Sequence, residues 1–394
     1  MNNNDIVITG TARTPMGSFQ GSLSNEKATR LGSIAIEAAL SKANIKGEDV
    51  DDVVMGCVLP AGLGQAPARQ SAIGAGIPNT AGATTINKMC GSGMRAAMIA
   101  NDQLIAGSSK ITIAGGIESM SNTPYVLPKV RSGLRMGHGE LKDHMFLDGL
   151  EDAYEEGRLM GSYAEATAEA YQFTRQAQDE FAIRSLKRAK KANEDGSFNE
   201  EIVPVEVKNR KGSKIISQDE QPFSADISKI PNLKPAFSKD GTVTAANSSS
   251  ISDGAAALVM MSRIEAEKCN SKPLAKVVAH ATNSHDPAWF TTAPIGAIKK
   301  VLDKANWNIK DVGLFEINEA FAVVPMAAMK DLNLSPEIVN VHGGACALGH
   351  PVGTSGARII ATLISAMHKY DVQKGIASLC IGGGEATAIA IEKN

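Results

Sequence analysis

The chain has 394 residues, which is long enough for two or three domains that each bury a sizeable core. Its 40 Lys and Arg residues nearly balance its 42 Asp and Glu residues, and the formal charge of -2 favours neither nucleic acid nor an anionic membrane as a partner. Five cysteines without a paired C-x-x-C spacing argue against a disulfide framework and a zinc site, so we expect a reduced, cytoplasmic protein that holds no metal.

The first ten residues, MNNNDIVITG, run directly into an apolar segment that resembles a strand. No basic segment precedes it, so we expect no signal or transit peptide. Apolar runs elsewhere stay short of the roughly 18 residues that a membrane-spanning helix requires, and we expect no membrane partner.

Short runs of β-branched and apolar residues alternate with longer helical patterns, which is typical of an α/β fold. In chain order, the strand candidates are residues 6–9, 53–57, 111–114, 257–261, 275–279, 314–317 and 377–381. The clearest helical patterns are residues 31–43, 94–105, 175–192 and 357–367. The middle of the chain, from about 121 to 247, is richer in charges and turn residues, and it indicates an insertion of loops and helices outside the sheet.

Two segments, one from each half of the chain, have similar sequences. SGMRAAMIANDQLIAG followed by ITIAGGIES resembles SGARIIATLISAMHKY followed by ASLCIGGGEAT. Two similar α/β halves with a site between them are therefore expected, although glycine-rich joints also recur by chance in α/β chains. Neither glycine cluster has the spacing of a phosphate-binding or dinucleotide-binding loop.

Cys90 lies in NKMCGSGMRAA, directly before Gly-Ser-Gly and a helical pattern. A free cysteine is most often a small buried hydrophobe, and that interpretation stays open for Cys90 on residue type alone. The alternative is a nucleophile, because unpaired N–H groups at a helix N-terminus are expected to lower the pKa of a thiol there.

Three further segments carry possible partners for that thiol. His350 lies between Gly and Pro ahead of a helical pattern, where it could serve as a base or simply satisfy local hydrogen bonds. Cys380 ends a strand before three glycines in CIGGGEATA, and Asn318 follows a strand in EINEAFA and could position a water molecule.

These segments resemble the thiolase family, in the branch that transfers acetyl groups between coenzyme A thioesters. The resemblance runs from ITGTARTPMGSFQGSL to the C-terminus. In family order it includes NKMCGSGMRAA, AGGIESMSNTPY, DGLEDAY, LKPAF, DGTVTAANSSSISDGAAAL, EINEAFA, GGACALGHPVGTSGAR and CIGGGEA.

The resemblance implies a role for each reactive residue. Cys90 matches the nucleophile that forms an acetyl thioester, and His350 matches the base that takes its proton. Cys380 matches the acid/base that removes a methyl proton from a second acetyl-CoA. The backbone N–H groups of Cys90 and Gly382 match one oxyanion hole, while His350 and a water held by Asn318 match the other.

The implied reaction is the reversible condensation of two acetyl-CoA molecules to acetoacetyl-CoA and CoA. Coenzyme A thioesters are then substrates, and no separate cofactor is expected. The residues that match the substrate-binding positions are Ser249, Leu150, Met160, Ala320 and Phe321.

The chain departs from relatives at four positions. Leu159 precedes Met-Gly where several acetoacetyl-CoA enzymes have His, and Phe290 stands where many have Met. These changes predict a narrow acyl pocket. Pro222 stands where some members carry an Arg that meets the nucleotide, and His342 stands where many have Asn.

The implied fold is a five-layer α-β-α-β-α sandwich of two similar thiolase halves with an inserted loop domain. We expect the first half at 1–120 and 248–272, the insertion at 121–247 and the second half at 273–394. Relatives are dimers or tetramers, and the segment 119–135 resembles one that helps tetramers form. A broader 3-ketoacyl-CoA thiolase, a decarboxylating ketoacyl synthase and a non-catalytic acyl-CoA binder remain alternative functions.

Overall fold

The computed structural model describes residues 5–209 and 212–394. Its strands are β1 (Ile6–Arg13), β2 (Gly17–Ser18), β3 (Asp52–Gly56), β4 (Gly82–Ile86), β5 (Ile111–Ser119), β6 (Tyr125–Val126), β7 (Lys142–Asp143), β8 (Val205–Asn209), β9 (Gly212–Ile216), β10 (Ser252–Ser262), β11 (Ala275–Ser284), β12 (Leu314–Ile317), β13 (Lys374–Ile381) and β14 (Glu385–Lys393).

The α-helices are α1 (Ala28–Ala43), α2 (Pro67–Gly74), α3 (Ser92–Ala106), α4 (Met160–Tyr171), α5 (Arg175–Glu194), α6 (Gln221–Ser224), α7 (Arg263–Lys268), α8 (Ala293–Ala305), α9 (Val323–Leu332), α10 (Ala345–Leu348) and α11 (Ser355–Lys369). No helix among the described residues is both long enough and apolar enough to cross a membrane.

The long strands form two half-sheets with the same topology. In the first, the order is β1-β10-β5-β3-β4, with antiparallel pairs up to β5 and parallel pairs beyond it. In the second, β11-β14-β13-β12 repeats that pattern, and a parallel bridge from Phe315 to Val339 takes the place of β4. The internal sequence similarity predicts two similar halves, and the repeated sheet topology confirms this prediction.

The half-sheets meet along one short seam, where β1 pairs with β11 at Val7 and Ile8. Helices α3 and α11 fill the space between the two half-sheets, and apolar side chains from both sheets pack on them. The helices α1 and α2 cover the outer face of the first half, and α8 and α9 cover that of the second. These are the five layers that the resemblance implies.

The central helices can occupy this layer because their own side chains are small or apolar on almost every side. In α11 the residues from Ser355 to Ile364 are all buried, and α3 buries Ala96, Ala97 and Ala100 against its neighbours. A helix that is apolar on all sides is stable only inside a core. The sequence of α11 therefore favours its position between two sheets.

The N-terminal turns of α3 and α11 touch each other because both carry glycine at the contact. A Cβ atom on Gly93 would lie 2.7 Å from the backbone nitrogen of Ala357, and one on Gly356 would lie 2.2 Å from that of Met94. Only glycine permits so close an approach of two backbones. This contact brings the residues just before each helix, Cys90 and His350, to the same place.

The middle of the chain lies outside the large sheet, as expected. It contains α4, α5 and two small hairpins, β6–β7 and β8–β9, which pair only with themselves. The exact domain boundaries at 120, 247 and 272 stay a prediction.

Candidate active site

A cavity of about 380 Å³ opens where the N-termini of α3 and α11 meet. Most of the predicted site residues line it, namely Cys90, Leu150, Met160, Ser249, Ala320, Phe321, His350 and Gly382. The first half, the insertion and the second half all contribute to this wall. The two remaining predicted residues, Cys380 and Asn318, are buried behind it.

Cys90 sits on a tight turn that the local sequence fixes. The preceding Met89 has a φ of 47°, in the left-handed region that few non-glycine residues adopt. The Ser92 hydroxyl accepts a hydrogen bond from the Lys88 N–H at 2.8 Å and donates one to the Met89 carbonyl at 2.6 Å. A Cβ on Gly91 would lie 2.4 Å from Ile381, so this turn packs directly against the end of β13.

The thiol of Cys90 is protonated in the resting protein. Burial raises its pKa to about 11, although the backbone N–H groups of Gly382 and of Cys90 itself act in the opposite direction. The expectation that the helix N-terminus leaves this pKa lowered was wrong, because loss of solvent outweighs the two N–H groups. The thiol therefore needs a base in order to act as a nucleophile.

His350 presents an unprotonated nitrogen to the cavity. The Ser355 hydroxyl donates to the Pro351 carbonyl at 3.0 Å, so it accepts from His350 Nδ1, which lies 2.5 Å away. That arrangement leaves Nε2 as the acceptor. Burial, and next the charge of Arg358, lower the pKa of His350 to about 3, which keeps the ring neutral.

Asn318 holds its amide toward His350. The Arg358 guanidinium donates to Asn318 Oδ1 at 3.4 Å, which turns Nδ2 toward His350 Nε2 at 3.5 Å. Arg358 itself lies 3.8 Å from Glu316, another fully buried side chain. Burial raises the pKa of Glu316 to about 8.

Cys380 lies at the end of β13, close behind Cys90. Burial, and next the neighbouring Cys90, raise the pKa of its thiol well above the ordinary value. The two thiols come from different halves of the chain, and Cys380 lies behind the part of the cavity wall that Cys90 forms. Cys57 and Cys346 are also buried but do not line it, and Cys269 is half-buried elsewhere.

The acyl end of the cavity is apolar. Leu159, Phe237 and Phe290 line it, and Phe290 packs edge-to-face on Tyr163 with 6.2 Å between ring centroids. Of the four departures from relatives, Leu159 and Phe290 thus lie in the site. Pro222 and His342 do not line the cavity, and His342 instead packs against Phe198 at 5.6 Å.

One buried carboxylate beside the site has no role assigned by the sequence patterns. Glu118 accepts hydrogen bonds from the backbone N–H groups of Val58, Leu59 and Gly353. The sequence marks Glu118 only by its position directly after the apolar run ITIAGGI. A charged side chain is unexpected there unless it is paired or hydrogen-bonded.

Comparison with known proteins agrees with this architecture. The family model described as the thiolase N-terminal domain matches residues 6–264, and that of the thiolase C-terminal domain matches residues 271–393. The chain belongs to the thiolase family.

Curated relatives match over nearly their whole length. The chain is 50% identical to acetyl-CoA acetyltransferase 2 of Arabidopsis thaliana, covering 100% of this chain and 98% of that protein. It is 47% identical to the acetyl-CoA acetyltransferase of Schizosaccharomyces pombe, covering 100% of both. The crystal structure of the Bacillus anthracis acetyl-CoA acetyltransferase superposes with a TM-score of 0.96 at 41% identity, covering 99% of each chain.

Proposed function

We propose that this enzyme is an acetyl-CoA C-acetyltransferase that condenses two acetyl-CoA molecules reversibly to acetoacetyl-CoA and CoA. Full-length relatives with that name support the activity. The observation that carries the proposal for this chain is the convergence of two thiols, Cys90 and Cys380, beside the neutral His350. A single acyl transfer needs one nucleophile, whereas carbon–carbon bond formation also needs a base for an α-proton.

In the first half-reaction, Cys90 Sγ attacks the carbonyl carbon of acetyl-CoA and its proton passes to His350 Nε2. The bond from that carbon to the CoA sulfur breaks, and the departing thiolate takes a proton from Cys380. The products are an acetyl thioester on Cys90 and free CoA. Both thiols are protonated at rest, so both protons are available for these transfers.

In the second half-reaction, the Cys380 thiolate removes a proton from the methyl group of another acetyl-CoA. The resulting carbanion attacks the acetyl carbon on Cys90, and the bond from that carbon to Cys90 Sγ breaks. His350 returns its proton to that sulfur. Every proton is back in place, and the product is acetoacetyl-CoA.

Two sets of donors can stabilise the oxygen charges that develop in these steps. The N–H groups of Cys90 and Gly382, which already point at the thiol, form the first set. His350 with a water molecule held by Asn318 forms the second. Arg358 supports this second set by fixing the amide of Asn318.

The substrates enter along the cavity wall formed by Leu150, Met160, Ser249, Ala320 and Phe321. Acetyl-CoA, acetoacetyl-CoA and CoA bind there as substrates or products, and the reaction requires no separate cofactor. The Ser249 N–H donates to the Ala320 carbonyl at 2.9 Å, which joins the two segments that form one side of the entrance.

We also propose that the enzyme is a cytoplasmic homotetramer in lipid metabolism. Its five cysteines are free thiols, in keeping with a reducing compartment. The segment from Tyr125 to Leu141 exposes several large apolar side chains, and Met136 is 97% exposed. Such a surface favours burial against other copies. Light scattering at several protein concentrations tests the tetramer.

The variant Cys380→Ala tests the two-thiol mechanism. Cys90 and His350 remain, and the departing CoA thiolate can take its proton from solvent in place of Cys380, so this variant should still form an acetyl-enzyme from acetyl-CoA. Mass spectrometry of the intact chain detects that adduct. Condensation and exchange of the methyl protons with deuterated water should both fall by about 10²–10⁴-fold. Cys346→Ala, which removes a buried thiol outside the cavity, is the control and should keep wild-type activity.

Undiminished condensation by Cys380→Ala would reject the mechanism. A decarboxylating synthase would keep activity with a malonyl thioester, and a non-catalytic binder would form no acyl-enzyme at all. The same measurements therefore separate the three functional classes.

The apolar end of the cavity predicts a preference for short acyl chains. Phe290 and Leu159 occupy space that a longer chain would need, and a packed wall cannot accept extra methylenes without strain. We expect a higher kcat/KM for thiolysis of acetoacetyl-CoA than of 3-ketohexadecanoyl-CoA. The reverse order would assign the enzyme to the broader 3-ketoacyl-CoA thiolases.

A further inference from the structure

Glu118 is a fully buried carboxylate that accepts three backbone hydrogen bonds. The N–H groups of Val58 and Gly353 both donate to Oε2 at 2.9 Å, and that of Leu59 donates to Oε1 at 3.1 Å. Among the described residues, no lysine or arginine forms an ion pair with it. The charge of Glu118 is therefore balanced by these three N–H groups and by the Cys57 thiol, which donates to Oε1 at 3.7 Å.

The three donors belong to segments from different halves of the chain. Val58 and Leu59 follow β3 in the first half, and Gly353 belongs to the turn between His350 and α11 in the second. Val58, Leu59 and Val352 pack into one apolar cluster that Cys90 also contacts. One carboxylate thus ties the turn that carries His350 to the wall around Cys90.

The internal repeat supplies a counterpart to this contact. Glu118 and Glu385 both follow a Gly-Gly-x pattern, in GGIE and GGGE. Glu385 forms an ion pair with Lys88, in the turn that precedes α3. Each half therefore uses its glutamate to hold the turn before the central helix of the other half. In the case of Glu118, that turn carries His350.

Packing alone does not explain why a charged residue occupies position 118. Burial raises the pKa of the carboxyl group to about 7, which reports the free energy that its ionised form costs. A buried charge adds little to stability, because the cost of desolvation offsets what its partners return. The three N–H groups, in contrast, need an acceptor in this exact position.

We propose that Glu118 is a positioning residue for acetyl transfer, which sets the distance between His350 Nε2 and Cys90 Sγ by holding the Gly353 turn against the Val58–Leu59 segment. Glu118 does not touch the substrate or the reacting atoms. The inference rests on the function proposed above, because it assigns the residue a part in that reaction.

Glu118→Gln is the decisive variant. It keeps the length of the side chain but replaces one carboxylate oxygen with an NH2 group. Because both oxygens of Glu118 accept hydrogen bonds, the NH2 group faces an N–H donor in either orientation of the amide. Displacement of a reacting group by about 1 Å can cost about 10²-fold in rate. We expect Glu118→Gln to lower kcat and the rate of Cys90 acetylation by about 10²-fold, with KM for acetyl-CoA unchanged.

Two further variants sharpen the test. Glu118→Asp keeps two acceptor oxygens on a shorter side chain and should recover part of the lost rate. Asp51→Asn is the matched control, because Asp51 accepts from the N–H groups of Lys110 and Ile111 at the opposite end of β5, at 2.7 and 3.1 Å. Asp51 lies just before β3 and is exposed, so this variant changes a carboxylate that binds two backbone N–H groups away from the site, and it should keep wild-type kcat.

Acetylation of the wild-type enzyme tests the proposed function, and the ratio of variant to wild-type rates tests the role of Glu118. A wild-type rate in Glu118→Gln would overturn the inference while leaving the function intact. An increase of about 10²-fold in KM with unchanged kcat would also overturn the inference, since that result indicates lost substrate binding. A Glu118→Gln chain that fails to give a cooperative thermal transition would show that the carboxylate serves folding instead.

Discussion

At the scale of single residues, the thiols of the resting site are protonated and the His350 ring is neutral. Burial places the pKa of Cys90 at about 11 and that of His350 at about 3, so a thiolate–imidazolium pair is not the resting state. In the proposed mechanism, the Cys90 thiolate forms only as the thioester is attacked. The site therefore keeps its thiol weakly reactive toward other electrophiles until substrate arrives.

This protonation state predicts the pH dependence of alkylation. Below about pH 11 the thiolate fraction of Cys90 should rise tenfold for each pH unit. The rate of inactivation by iodoacetamide should accordingly rise about tenfold per unit between pH 7 and pH 9 without reaching a plateau, and acetyl-CoA should slow it.

Peptide mapping after limited alkylation assigns the reaction to Cys90. The buried Cys57 and Cys346 serve as internal controls and should react far more slowly. A plateau above about pH 8.5 would show an ordinary thiol pKa and would contradict the effect of burial. Equal labelling of all five cysteines would contradict the accessible position of Cys90.

The sequence allowed candidate reactive residues to be proposed, but not the residues that hold them in place. Cys90, His350 and Cys380 stand in segments whose residue types suggest chemistry, and the family resemblance gave them roles. Ser355 contacts His350 only five residues away. Arg358 and Glu118, in contrast, act through contacts with residues far away in the chain, such as Gly353 for Glu118. Such contacts depend on how the two halves pack, which no local pattern encodes.

At the scale of elements, the predicted segments that are longest and most periodic agree best with the structure. The four predicted helices all lie inside observed ones, for example residues 357–367 within α11. Strands β4 and β14 were not predicted. β4 lies at the edge of its half-sheet and is only partly buried, and β14 follows directly after a tight turn with positive φ at Gly383 and Gly384. Neither segment shows a clear apolar alternation.

The contact between the two central helices predicts the effect of one added methyl group. In Gly356→Ala the new Cβ would lie 2.2 Å from the backbone nitrogen of Met94, so α3 and α11 must move apart. Overpacking of this kind costs about 1–3 kcal/mol. We expect a lower melting temperature and a large loss of kcat, since Cys90 and His350 separate with their helices.

Gly139→Ala is the control for this substitution. Its Cβ would meet only the exposed side chain of Leu134, which can move aside. It should leave both the melting temperature and kcat unchanged. Wild-type kcat in Gly356→Ala would show that the helix contact does not set the spacing of the site.

At the scale of the whole molecule, a buried ion network joins the inserted segment to the sheet. Arg13 in β1 donates to Glu201 at 2.6 Å and to both oxygens of Asp219, at 2.7 and 3.0 Å. All three side chains are fully buried. The arginine also lies 4.7 Å from the centre of the Phe198 ring. The insertion is thus anchored to the strand at the centre of the fold.

Removal of the Asp219 carboxylate should leave two guanidinium nitrogens of Arg13 and the Met16 N–H without their acceptor in the core, although Glu201 still pairs with Arg13. We expect Asp219→Ala to lower the free energy of unfolding by about 3–5 kcal/mol, measured by urea denaturation of the enzyme. Glu48→Gln, which breaks the exposed pair with Lys46, should have no measurable effect. Equal stability of Asp219→Ala and wild type would show that solvent reaches Arg13.

The repeated topology of the two half-sheets has a consequence for the ancestry of the chain. A half-length ancestor could bury its central helix only by pairing with a second copy of itself, so gene duplication and fusion would convert a symmetric dimer into one chain. After fusion the two helix starts were free to diverge. Cys90 lies two residues before α3, and Gly353 stands at the matching place before α11, where its N–H donates to Glu118. Duplication would thus free one helix start from carrying a nucleophile, so that its backbone N–H could hold a glutamate of the other half.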